Sequence, residues 1–96
     1  MFLNISLWVR GMIKIKILYF GRPGENLKLS DESVEIAENI KTLGELLAWL
    51  RTRGENWALE LSESRVRCAI NQEFAEMSAS IKANDEVAIF SPISGG

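Results

Sequence analysis

Apolar and polar residues alternate along Met12–Phe20, placing Ile13, Ile15, Ile17 and Tyr19 on one face and Lys14, Lys16, Leu18 and Phe20 on the other. A period of two is the mark of a strand with one buried face. The same alternation runs through the preceding segment, where Leu3, Ile5, Leu7 and Val9 interleave with Asn4, Ser6, Trp8 and Arg10. That segment does not read as a secretory signal, because its positive charge follows the apolar run and no small-residue cleavage site appears. Two readings of residues 1–11 stand: an additional strand that packs on the domain or a neighbour, and a non-native start upstream of Met12.

Residues 21–26 carry Gly and Pro and read as a loop, and residues 33–36 read as a short second strand. The pattern then changes period. Leu43, Leu46, Leu47 and Leu50 fall at i, i+3, i+4 and i+7, a stripe that has to pack against something flat. Thr42 with Glu45 three residues on predicts a capping box at the start of this helix; Arg51 and Arg53 suit its last turn, and Gly54 suits its stop. Residues 57–61 predict about one helical turn. Alternation resumes in residues 65–70, with Val66, Cys68 and Ile70 opposed to Arg65, Arg67 and Ala69. Residues 71–73 read as a turn, 74–77 as a weak strand, and Asn84-Asp85 as a tight turn in which Asn tolerates positive φ. Glu86–Phe90 is the last strand, with Val87 and Ile89 facing one way and Glu86, Ala88 and Phe90 the other. The order predicts an α+β fold, one main helix packed on one face of a mixed sheet, with the first and last strands parallel at its centre. That is a β-grasp arrangement occupying residues 12–90, followed by an extended tail over 91–96.

Size and composition narrow the chemistry. A chain of 96 residues makes one domain the default, and such a domain buries roughly 60 to 65% of its unfolded surface, too little for a large internal substrate cavity. The sequence contains no His, which removes the commonest general base, the Ser-His and Cys-His nucleophile pairs and most zinc sites. One Cys cannot form an internal disulfide and suits a reducing, cytoplasmic setting. Eleven Lys plus Arg against 13 Asp plus Glu give a net charge of −2, without the basic stripe that nucleic acid or an anionic membrane requires. Unbroken apolar runs such as Ile17 through Phe20 fall far short of the ~20 residues that span a bilayer.

Most internal candidates for chemistry have plainer explanations. Cys68 keeps register with Val66 and Ile70, as a small buried hydrophobe would. Asp31, Glu32, Glu35 and Glu38 suit a solvated strand face better than a metal site, and Lys14, Lys16, Arg65 and Arg67 lack the interleaved aromatics of a nucleic-acid surface. The end of the chain differs. After the last strand comes Ser91, then Pro92, which cannot continue a ladder, then Ile93, Ser94, Gly95 and Gly96. Six extended residues reach about 20 Å. A terminal carboxylate on Gly96 has no Cβ beside it, so it can thread a narrow channel and offer an unhindered acyl carbon. A free carboxylate is a poor electrophile, so it needs activation, as an acyl-adenylate, by a separate ATP-using enzyme; this chain carries no ATP motif of its own. Leu18, Phe20 and Phe90 should cluster on the sheet face away from the helix, near the root of the tail, with Ala69 and Ala88 keeping the surface flat, as a docking patch would require.

The closing segment, residues 84–96, resembles that of the molybdopterin synthase small subunits, the MoaD-like sulfur carriers, whose chains end in a G-D-E-V-A-x-F-P-P-V-[ST]-G-G pattern. Met12-Ile13-Lys14-Ile15, Asn56-Trp57-Ala58-Leu59 and Ala69-Ile70-Asn71-Gln72 resemble further parts of that family, so the likeness covers residues 12–96. Ser91 stands where the family has a first Pro, and Asn84 where it has Gly. The resemblance implies a ubiquitin-like fold and a carrier with no catalytic residues beyond its own end. Gly96 would be adenylated by an E1-like adenylyltransferase, become a thiocarboxylate, and donate sulfur to cyclic pyranopterin monophosphate in molybdenum cofactor biosynthesis. It implies insertion of Pro92, Ile93, Ser94 and Gly95 into a large subunit, a heterotetrameric assembly, no bound cofactor and no metal. A thiamine-type sulfur carrier, a ubiquitin-like modifier and an inert β-grasp interaction module are the alternatives.

Overall fold

The computed structural model describes residues 11–92. Its strands are β1 (Met12–Phe20), β2 (Asp31–Ala37), β3 (Arg67–Ile70), β4 (Glu73–Ala75) and β5 (Glu86–Phe90), and its helices α1 (Arg22–Leu27), α2 (Leu43–Arg51) and α3 (Glu55–Glu60). The strands form one sheet in the order β2-β1-β5-β3-β4. β1 and β5 are parallel and adjacent at the centre, while β2, β3 and β4 join antiparallel. This mixed sheet with helices on one face is the expected β-grasp.

Burial follows the alternation. Ile15, Ile17 and Tyr19 of β1, Val34 and Ile36 of β2, Cys68 of β3, and Val87 and Ile89 of β5 meet Leu43, Leu46, Leu47 and Leu50 of α2 in one core. The capping box forms as predicted: Thr42 Oγ1 accepts from the Glu45 amide at 3.1 Å, and Glu45 Oε1 accepts from the Thr42 amide at 3.2 Å. Such a cap contributes about 1 kcal/mol. Two further orphan donors at this helix start, the amides of Leu43 and Gly44, bond the carbonyls of Ala79 and Met77 at 2.9 and 2.8 Å. The segment entering β5 is therefore tied to the start of α2.

The structure corrects two expectations. Residues 21–26 are not a plain loop, since α1 occupies Arg22–Leu27. Pro23 sits in its first turn, where a missing N–H costs nothing. Gly24 belongs there for a different reason: a Cβ would lie 2.8 Å from the Tyr19 carbonyl oxygen and 3.0 Å from that of Leu29. Arg53 and Gly54 also do not close α2, which ends at Arg51 with Thr52 as its cap, while Gly54 precedes α3. Arg53 turns back instead. Its guanidinium lies 5.1 Å from the Trp49 ring centre and 4.6 Å from that of Trp57, and donates to Glu32 at 2.7 Å. Glu32 also accepts from the Tyr19 hydroxyl at 2.6 Å, so one carboxylate joins β1, β2 and the helical layer. Burial and that neighbouring carboxylate both push the Tyr19 hydroxyl well above its ordinary pKa, which keeps it a neutral donor.

Candidate functional site: the outer sheet face and the tail root

The face of the sheet away from the helices is divided by strand register. Over β2 and the first half of β1 it is polar, with Lys14 opposite Glu35 and Lys16 between Ser33 and Glu86. Opposite charges that face one another across a ladder suit a solvated surface better than a nucleic-acid face. Toward the other end the face becomes apolar. Leu18 neighbours Ala88, Ala88 neighbours Ala69, and Ala69 neighbours Phe74, a continuous row across four strands. In the next row Phe20 lies beside Phe90 and Phe90 beside Arg67. Leu18, Phe20 and Phe90 are thus brought together as their alternation predicts.

Phe74 is the residue that sequence reading missed. It is 85% exposed, more than any other large apolar side chain described, and its ring centre is 5.9 Å from that of Phe90. Phe20, on the far side of Phe90, is 52% exposed. The signal for Phe74 lay in the turn before it. Asn71 and Gln72 both take positive φ, 52° and 73°, as a two-residue hairpin turn of the primed type requires. A turn of that length pairs Ile70 with Glu73 and so puts Phe74 opposite Ala69, facing out. The hairpin is fastened to β5, where Asn71 Oδ1 accepts from the Glu86 amide at 3.0 Å and Asn71 Nδ2 donates to Asp85 at 2.9 Å.

β5 leaves the sheet next to this apolar patch. Because it is paired on both sides, with β1 and β3, Phe90 is a fixed root for whatever follows. Ser91 is half-buried and Pro92 exposed; Ile93, Ser94, Gly95 and Gly96 lie outside the described residues, as does the alternating segment 1–10. Asn84, which stands where the resembled family has Gly, takes φ 72°, a conformation open to Asn as well as Gly.

The remaining candidates serve structure. Cys68 is buried, and desolvation pushes its thiol up to about 12, so it is neutral and unreactive near neutral pH. Among the described residues no group of His, Cys, Asp or Glu side chains is placed to hold a metal ion, and no helix is long and apolar enough to cross a membrane. Trp57 packs edge-on against Tyr19 at 5.9 Å.

Comparison with known proteins places these features. A molybdopterin synthase sulfur carrier subunit from Escherichia coli K12 is 29% identical over 82 residues, covering 85% of this chain and 99% of the relative. The small archaeal modifier protein 1 of Haloferax volcanii superposes with a TM-score of 0.68 at 20% identity, covering 84% of this chain and 99% of that one. A chain from the complex of subunits 1 and 2 of molybdopterin-converting factor from Helicobacter pylori superposes with a TM-score of 0.60 at 20% identity, covering 88% of this chain and all of that one. The ThiS family model matches residues 17–96, from the middle of β1 through the terminal glycines. This chain therefore belongs to the ThiS family of ubiquitin-like sulfur carriers.

Proposed function

We propose that the protein is the sulfur-carrier subunit of a molybdopterin synthase and that Gly96 is its reactive residue. The observation that carries this reading is the convergence of one apolar row, Leu18 through Phe74, and the Phe20–Phe90 pair on the root of a Gly-Gly tail. A partner that receives the tail would meet Leu18, Phe20, Phe74 and Phe90 at the same time. The E. coli relative is named as such a carrier, and the H. pylori relative stands in a complex with a second subunit. In the proposed cycle an E1-like enzyme joins the Gly96 carboxylate to the AMP portion of ATP, releasing pyrophosphate. A sulfide equivalent then displaces AMP to leave a thiocarboxylate. In the large subunit the sulfur passes to cyclic pyranopterin monophosphate, and water restores the carboxylate. Pro92, Ile93, Ser94 and Gly95 thread the partner, and tethering the sulfur replaces a bimolecular encounter with a positioned one. A cytoplasmic location, a heterotetramer with the large subunit and ATP used only by the activating enzyme complete the proposal.

Incubation with the adenylyltransferase, ATP and a sulfur donor should raise the intact mass by about 16 Da, the exchange of one oxygen for sulfur. An unchanged mass with a proven active enzyme rejects the carrier reading. The closing pattern of residues 84–96 favours the molybdopterin branch over a thiamine-type carrier, and the same charged protein tests that choice through the large subunit. Phe90→Ala should weaken binding to the large subunit by about 2 kcal/mol or more, as removal of a central aromatic anchor does. Wild-type affinity, measured by calorimetry, would dismiss the patch.

A further inference from the structure

Where β3 and β4 meet the tail root, the surface is hollowed into an open groove. Cys68, Phe74, Ala75, Met77, Phe90 and Pro92 are among the residues that line it. Most of the lining is apolar, and the buried Cys68 thiol carries no charge near neutral pH. Glu63, Arg67 and Glu76 also line it. A mostly apolar hollow that also carries charged groups suits a protein interface, where one buried side chain contributes far more than its neighbours.

We propose that this groove is a socket for an apolar side chain of the large subunit, filled when that subunit takes up the tail; the inference rests on the molybdopterin synthase reading. Two features point to this occupant. The groove is continuous with the docking rows, because Phe74 and Phe90 belong to both. Pro92 lines it too, so a protein that encloses the residues after Pro92 comes into contact at this spot. The socket therefore adds shape to a patch that otherwise supplies only area. It lets a partner sense the tail root and the β3–β4 hairpin together.

The test uses the full chain with its methionine methyl groups carbon-13 labelled. Met77 reports on the groove, and Met12, at the opposite end of β1 and 44% exposed, serves as a control. On adding unlabelled large subunit, the Met77 methyl should shift and gain contacts to aliphatic or aromatic protons of the partner while Met12 stays in place. Ala75→Leu, which fills the groove, should weaken binding roughly tenfold or more. A complex that forms with Met77 undisturbed overturns the socket and leaves the docking reading intact, as does an Ala75→Leu protein that binds like wild type. Absence of any complex with the large subunit rejects the docking reading itself, and the socket with it. Should Ala75→Leu fail to fold, the Met77 measurement on the unaltered chain decides.

Discussion

Deleting Gly96, or adding one residue after it, should abolish sulfur transfer and leave the fold unchanged. One residue of extended chain is about 3.5 Å, whereas a displacement of about 1 Å at a reacting centre can already cost 100-fold. Phe90 is held in the middle of the sheet, so the reach of the tail is set by the number of residues that follow it. In the proposed cycle, deletion should stop the acyl carbon short of the activating nucleotide and of the pterin. Extension places a peptide bond where the free carboxylate should be, and adds a Cβ to the channel for any residue but Gly. The core is complete by Ile89, so thermal melts of both variants should overlay the wild type. Intact-mass analysis after activation, followed by product assay with the large subunit, reads the two steps separately. Turnover by either variant would show that the reactive group is not the terminal carboxylate.

The parts of this design that were legible in the sequence are those in which one local rule decides. The period of β1 and β5 fixes which residues are buried, and the Thr42–Glu45 spacing fixes where α2 begins. What was obscure depends on competition between rules or on distance. In residues 21–26 Gly and Pro usually signal a loop, yet Pro23 falls at a helix start and Gly24 fills a place where the Tyr19 carbonyl leaves no room for a side chain. Arg53 suits a helix end by charge, but Trp49, Trp57 and Glu32, contributed by three separate segments, offer it more. The candidate site divides in the same way. Leu18, Phe20 and Phe90 were visible because both strands are long enough to show a face. Phe74 was not, because β4 has three residues, and the face of so short a strand is set by the turn before it.

The division of labour between the two sheet faces leads to the second large effect. Leu47→Ala should destabilise the domain by about 2–5 kcal/mol, the range for removing a buried Leu side chain whose cavity cannot fully collapse. Leu47 is fully buried, in one core cluster with Leu43, Leu46 and Leu50 of the same stripe and the inner residues of β1 and β5. For a domain of this size each kcal/mol lowers the melting temperature by roughly 4–8 °C. Total stabilities are only about 5–15 kcal/mol, so this one change removes a large share. Phe74→Ala, at an exposed position, should by contrast lie within about 0.5 kcal/mol of wild type. Binding should show the reverse order. At a temperature where Leu47→Ala is still folded, it should accept sulfur and dock normally, because Leu47 faces the helical side and the tail is covalent. Phe74→Ala should melt like wild type and dock poorly. Denaturant melts and calorimetry on the two variants give four numbers, and the prediction is that they cross. Parallel losses in both measurements would mean that docking depends on the global stability of the domain and not on the outer face.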